Sequence, residues 1–423
     1  MDRTLNGARR EGTEFQNRVR VFDTTLRDGE QTPGIQLLPE KKLKIALALE
    51  DAGCDIIEAG FPVSGDNEKE AVRLIAREVS NAEVAVLCRP IPSEIDLCED
   101  VLSKCSHPRL HLWIATSPIH MKHKLNMTPL KVMEKAIGAI HYAAGKFETV
   151  QFSSEDATRS NIDFLNGMMR EAVRSGAHVV NLADTVGCAL PEHVALMVRE
   201  VRGAVKDRVP VGIHCHNDLG LATSNTISAI RAGARQMDVT VTGVGERAGN
   251  ASLEQIAVAL DFHSKHLKVR TGMDLSKLGG LCDLVISEMK IRTATCQPLI
   301  GMNSFRHESG IHIHGMLNNP MTYEVVDPKD LGMEKGQYVL GKHSGKAAVG
   351  HFLARKGLEL SEEELTRLTD FVKENSLVNG SISNEDELLR LAQEKGIFPK
   401  QKVGDLKGVG GEMKDVGGER NGA

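Results

Sequence analysis

The chain predicts an α/β fold: a (β/α)8 barrel followed by small, mainly helical subdomains. Three observations carry this reading. Short β-like runs recur roughly every thirty residues, helix-like segments separate them, and polar residues gather at the C-terminal ends of the runs. Barrels of this kind keep their active sites at those ends.

The elements follow in order. The run Val19–Leu26 precedes a helical segment over Pro39–Ala52, and Cys54–Gly60 precedes Asp66–Val79. Glu83–Arg89 comes next, then Arg109–Ala115 with its helix at Pro129–Ala144. Thr149–Glu155 leads to Asn161–Ser175, His178–Asp184 to Pro191–Val205, and Pro210–His216 to Leu221–Ala232. Gln236–Gly245 is the eighth run. An open doubly wound sheet would carry fewer repeats and a glycine-rich first turn, whereas the first run here ends in LRDGEQ.

At 423 residues the chain exceeds one average domain and suits a large barrel with additions. The expected organisation is a flexible start (1–18), the barrel (19–268), a linker or first subdomain (269–325), a helical second subdomain (326–401) and a disordered glycine-rich tail (402–423). Ser361–Asn375 and Asn384–Lys395 read as helices of the second subdomain.

Composition narrows the function. Net charge is −5, without a basic block, and only 4% of residues are aromatic, so neither a nucleic-acid surface nor a base-stacking platform is expected. No apolar run reaches the ~20 residues that span a bilayer, and no secretory signal is legible. The eight cysteines form no C-x-x-C pair. They read as reduced, mostly buried thiols, and the expected location is cytoplasmic.

Two stretches concentrate the chemistry. Leu26-Arg27-Asp28-Gly29 sets a carboxylate beside a guanidinium, and His214-Cys215-His216 sets two imidazoles at i, i+2. On a strand those imidazoles share one face. Asp28, His214 and His216 can therefore converge on a divalent ion such as Mn, Mg or Zn with positions left open. Arg27 beside them can stabilise an oxyanion. The same rim carries Glu58, His111, Ser153, Glu155, Asp184, Thr185 and the loop Gly245-Glu246-Arg247-Ala248-Gly249-Asn250. A single Glu or Ser there serves backbone groups as readily as catalysis, and an isolated His-x-His is more often structural. A whole ring of charge in an apolar barrel mouth calls for an ion or ligand.

Seven ordered segments, FDTTLRDGEQTPG, FSSEDATR, NLADTVG, GIHCHNDLGLATSNT, GVGERAGNASLE, FRHESGIH and VLGKHSGK, resemble the acyl-CoA Claisen-condensing branch of the metal-dependent barrel superfamily. That branch includes 2-isopropylmalate, homocitrate and citramalate synthases, with HMG-CoA lyase a cousin. EAGFPVSG and LWIATSPIHMKHKLNMT are most similar to the 2-isopropylmalate synthase family. The resemblance implies condensation of acetyl-CoA with 2-oxoisovalerate at the entry to leucine biosynthesis. Pyruvate or 2-oxoglutarate as acceptor, or a non-catalytic metal-binding relative, are the alternatives.

The resemblance also implies roles. Asp28, His214 and His216 would hold the metal with Asn250 as a weaker oxygen ligand. Arg27 would stabilise the developing alkoxide. Thr185, His111 and Ser153 would line the oxo-acid pocket. His307 matches the family's base, assisted by Glu155, with His312, His314 and His343 as competing candidates. The segment bearing His307 reaches the partner's site in relatives, which implies a homodimer with shared sites. Glu246 and Arg247 are expected to pair with each other or near Asp28. Long relatives add a leucine-binding domain, so a short form without leucine feedback is expected.

Overall fold

A computed structural model describes residues 18–334 and 338–397. The expectations of a flexible start and a disordered tail fall on 1–17 and 402–423, outside the described residues. Eight parallel strands close a barrel in sequential order: β1 (Arg20–Asp23), β2 (Ile56–Gly60), β3 (Glu83–Cys88), β4 (Pro108–Ala115), β5 (Thr149–Glu155), β6 (Val179–Asp184), β7 (Val211–Cys215) and β8 (Gln236–Val239). Strand β8 closes on β1 with Arg20 opposite Gln236 and Asp23 opposite Val239.

Alternation sorts the side chains. Leu110, Leu112, Val150, Phe152, Val180, Leu182, Ile213 and Met237 face outward into the main apolar core, under helices such as Pro39–Asp51 and Pro191–Val205. Burying each such side chain contributes about 1.5–3 kcal/mol. Several barrel helices open with proline in the first turn, where the missing N–H has no helical partner to lose. A helix at Pro92–Val101, not anticipated from the sequence, fills the β3–β4 connection.

The inward face is unusually polar. Arg109 and His111 of β4, Gln151 and Ser153 of β5, Asn181 of β6, His214 of β7, and Gln236 and Asp238 of β8 are all buried. Bonds between non-neighbouring strands, such as Arg109 Nη2 to Gln236 Oε1 at 2.8 Å and Asn181 Nδ2 to Asp238 Oδ2 at 2.8 Å, can form only across the lumen. Gly212 on β7 makes room for this layer, because a Cβ there would lie 2.4 Å from Asn181 Oδ1.

Two strand expectations ran long. The segment after β1 is a π-helical turn, Thr25–Gly29, instead of strand to Leu26. Strand β8 stops at Val239, and Thr242 at φ 63° turns the chain.

The described chain divides into two compact units. The first contains the barrel through Gly301 together with Pro328–Glu334, and the second comprises Met302–Asp327 and the described residues after Glu334. The second unit has its own core, including Leu340, Phe352, Leu368, Val372 and Leu388, built around helices Lys346–Ala354, Glu362–Asn379 and Glu385–Glu394. A full capping box, Ser361 with Glu364, starts the longest of them.

Candidate metal centre

The turn after β1 delivers Asp28, and the end of β7 delivers His214 and His216. Asp28 Oδ2 lies 3.2 Å from His214 Nε2 and 3.6 Å from His216 Nε2, and the two imidazole nitrogens lie 3.2 Å apart. All three residues are buried. Such spacings suit three ligands on one face of a single cation. Among the described residues, Asp28 Oδ2, His216 Nδ1 and Asn250 Oδ1 have no hydrogen-bond partner. Buried polar atoms without partners are costly, and an ion beside Asp28 Oδ2 would relieve that cost. One carboxylate with two imidazoles fits Mn, Fe or Zn chemistry. The residues present therefore fit a divalent metal.

Electrostatics agree. Burial favours the neutral acid at Asp28, but the Arg27 guanidinium and the two imidazoles hold its carboxyl well below the usual carboxylate range. Burial, then the His214 charge, pushes His216 down to about 4, so at neutral pH its ring is uncharged and offers a lone pair.

Asn250 reaches this place through a loop that only glycine permits. Gly249 sits at φ 88°, where a Cβ would also meet Gly243 O at 2.1 Å, and a Cβ on Gly245 would strike Asn250 Nδ2 at 2.1 Å. Asn250 bridges to His216 along the backbone, with Asn217 N–H donating to Gly249 O at 2.9 Å.

Beside the three ligands, a buried chain of polar contacts begins at Arg27. Its Nε donates to Glu58 Oε2 at 2.7 Å, while Nη1 stands 3.7 Å from Asp28 Oδ2. Glu58 also accepts from Thr24 Oγ1 at 2.5 Å and pairs with His111 Nδ1 at 2.5 Å. Burial opposes ionisation of Glu58, yet Arg27 and His111 outweigh it and hold the carboxyl at about 2. His111 Nε2 meets Ser153 Oγ at 2.5 Å, Ser153 accepts from Asn181 Nδ2 at 3.1 Å, and Asn181 also donates to Asp238. Asp238 Oδ2 lies 3.7 Å from His214 Nδ1, so the chain returns to a candidate ligand.

The remaining residues separate. Thr185 Oγ1 accepts from Asp156 N–H at 2.9 Å, which leaves its hydroxyl proton available. Glu155 Oε1 is held by Lys124 Nζ at 2.6 Å, with His120 Nδ1 at 3.4 Å. Asp184 faces outward and accepts from Thr158 Oγ1 and the backbone of Cys188 and Ala189, which makes it a loop clamp. The hydrogen bonds of Arg247 go to Asp218, which its guanidinium grips with two 2.8 Å bonds, and to Thr185 O, while Glu246, Asp28 and His216 lie within the reach of its charge. His307 belongs to the second unit, where its Nε2 lies 3.0 Å from Glu324 Oε1.

Sequence reasoning missed Asn181, Asp238 and Lys124. The first two could have been found by carrying the alternation of Ser153 and His214 across to the neighbouring strands.

A closed barrel that gathers one buried carboxylate and two imidazoles at its mouth has the frame of a divalent-metal enzyme. The HMGL-like family model matches residues 18–285, and a "Homocitrate synthase post-HMGL domain-like" model matches 299–378. The HMGL-like family is divalent-metal-dependent. Among curated relatives, the 2-isopropylmalate synthase of Pyrococcus furiosus is 45% identical over 359 residues, 84% of this chain and 72% of that one. 2-Isopropylmalate synthase 1 of Caldanaerobacter subterraneus subsp. tengcongensis is 41% identical over 90% of this chain and 96% of its own length. The chain belongs to the 2-isopropylmalate synthase family.

Solved structures agree on the fold. The HMG-CoA lyase from Brucella melitensis superposes with a TM-score of 0.57 at 19% identity, over 65% of this chain and 100% of that one. The carboxyl transferase domain of Rhizobium etli pyruvate carboxylase gives 0.53 at 15% identity, over 65% and 48%.

Proposed function

We propose that this chain condenses acetyl-CoA with 2-oxoisovalerate and water, giving 2-isopropylmalate and CoA, the first committed step of leucine biosynthesis. Its identity to 2-isopropylmalate synthases over most of the chain supports this reading. The observation that carries the mechanism is the convergence of Asp28, His214 and His216 beside Arg27.

Asp28, His214 and His216, with Asn250, are the residues we assign to the metal, which we take to be Mn, Mg or Zn. When bound, the ion supplies Lewis-acid polarisation of the oxo acid's keto group. Thr185 donates its free hydroxyl proton to the oxo acid's carboxylate, and His111 and Ser153 line the same pocket. His307 removes a proton from the acetyl methyl group, a task worth about 10²–10⁴-fold for a positioned base. Glu155, anchored by Lys124, assists. The methyl carbon then attacks the keto carbon, and Arg27 stabilises the negative charge that develops on the keto oxygen. Water cleaves the thioester and frees CoA.

We further propose a homodimer in which His307 of one copy serves the barrel of the other. Eight unpaired cysteines suit a reducing compartment, and the cytoplasm is the proposed location. Among the described residues, no helix is long and apolar enough to cross a membrane.

The test is free-thiol release from acetyl-CoA with 2-oxoisovalerate, run with Mn or Mg and after chelation. Release that needs the metal, with 2-isopropylmalate as product, supports the proposal. Release that is indifferent to complete chelation would overturn the assigned roles of Asp28, His214 and His216.

A further inference from the structure

The second unit contains a contact that the roles above leave unused. His307 Nε2 lies 3.0 Å from Glu324 Oε1, and their side chains are 13% and 12% exposed. The two come from separate segments. His307 is bridged to Tyr338, and Val339 N–H donates to His307 O at 2.9 Å. Glu324 follows the short turn Pro320–Thr322, and its N–H donates to Pro320 O at 3.0 Å. The His307 ring is flanked by His312 at 6.1 Å and Tyr323 at 6.4 Å between centroids, and those two rings stack on each other at 4.0 Å. Tyr338 also lies within the field of the Glu324 carboxylate. Among the described residues, the groups facing this imidazole are thus Glu324, His312, Tyr323 and Tyr338, and Glu324 is bonded to it.

An ionised carboxylate only accepts hydrogen bonds. Nε2 of His307 must therefore carry a hydrogen, and in the neutral ring the lone pair sits on Nδ1. We propose that Glu324 is a positioning residue for proton abstraction: it fixes His307 in the Nε2–H tautomer, makes Nδ1 the accepting atom, and stabilises the imidazolium that results. This rests on the reading of His307 as the base. In the step, the methyl C–H bond breaks, the proton passes to Nδ1, and the electron pair stays on carbon for attack on the keto group. The same logic governs a histidine oriented by a carboxylate in other proton-transfer sites.

The experiment measures kcat, KM and the pH dependence of kcat for wild type, Glu324→Gln, Glu324→Asp and His307→Gln. Glu324→Gln keeps the shape and removes the charge. It is expected to lower kcat about 10–100-fold while leaving both KM values within about twofold. Without the carboxylate the imidazolium is less favoured, so the acidic limb of the kcat profile moves to lower pH. Glu324→Asp keeps the charge, holds the limb in place and recovers most of the turnover. Glu324→Ala shows the same loss and the same shift as Gln, and serves if the Gln variant does not fold. A wild-type kcat with an unmoved limb overturns the proposal, as does a loss of turnover without any limb shift, which would mark a structural role. Full turnover in His307→Gln would instead defeat the reading of His307 as the base, so the two failures are distinguishable.

Discussion

Asp28 Oδ2 stands 3.2 Å from Nε2 of His214, although the strands that deliver them, β1 and β7, are separated in the barrel by β8. The contact exists because the π-helical turn Thr25–Gly29 folds the chain inward immediately after β1. Thr24 anchors that turn, accepting the N–H of Asp28 on its carbonyl at 2.8 Å. Two imidazoles and a carboxylate at this range are the arrangement that a divalent cation would need.

Removing the metal should therefore cost stability as well as activity. Chelation is expected to lower Tm, and readdition to restore it, with about 2.7 kcal/mol of stabilisation at a hundredfold excess of metal over Kd. His214→Ala should abolish the metal-dependent part of that shift. Calorimetry of both forms with and without Mn checks this.

Arg27 should separate chemistry from metal binding. Arg27→Gln is expected to lower kcat by about 10²–10³-fold, the usual cost of losing one donor to a developing oxyanion, while metal content by elemental analysis stays at the wild-type level. Unchanged turnover would remove Arg27 from the mechanism.

Glu58 carries structural weight under Arg27. It is fully buried and bonded to Thr24, Arg27 and His111. Glu58→Gln removes the nearer of the two carboxylates beside the guanidinium and leaves only Asp28 at 3.7 Å, and breaking a buried pair of this kind costs about 3–5 kcal/mol. Urea unfolding at neutral pH measures it. Because the folded-state pKa of about 2 is below the ordinary carboxyl value, this stabilisation is present above the unfolded pKa and is lost as pH falls toward 2.

Asp23 gives the opposite pH dependence. Burial, partly offset by bonds from Thr25 N and Oγ1, raises it to about 7. The folded state then binds more protons than the unfolded chain between the ordinary value of 3.8 and about 7, so this group's contribution falls as pH rises through that window. Asp23→Asn should gain stability relative to wild type as pH rises from acidic to neutral, which paired thermal melts across that range would show.

Much of this was legible in the residues. Strand spacing indicated the barrel, and the His-x-His pair with LRDG indicated three residues that meet at one place, because their chemistry is local and their periodicity simple. The polar lumen was not. Arg109, Gln151, Gln236 and Asp238 look like isolated interruptions of apolar strands, and only barrel closure brings them onto one another. Lys124 belongs to no element that the sequence predicts, yet its ammonium lies over the Trp113 ring at 4.8 Å and reaches Glu155. The partner of Arg247 likewise depended on where the loop after β7 places Asp218, a tertiary fact that pairwise charge reading does not supply.

The measurement that tests the central claim most directly is kcat/KM for 2-oxoisovalerate, pyruvate and 2-oxoglutarate with acetyl-CoA and Mn, followed by free CoA. A hydrophobic pocket distinguishes one methyl group by about 1–3 kcal/mol, so a clear preference for 2-oxoisovalerate is the predicted result. A preference for pyruvate or 2-oxoglutarate, or no CoA release with any of the three, would contradict it.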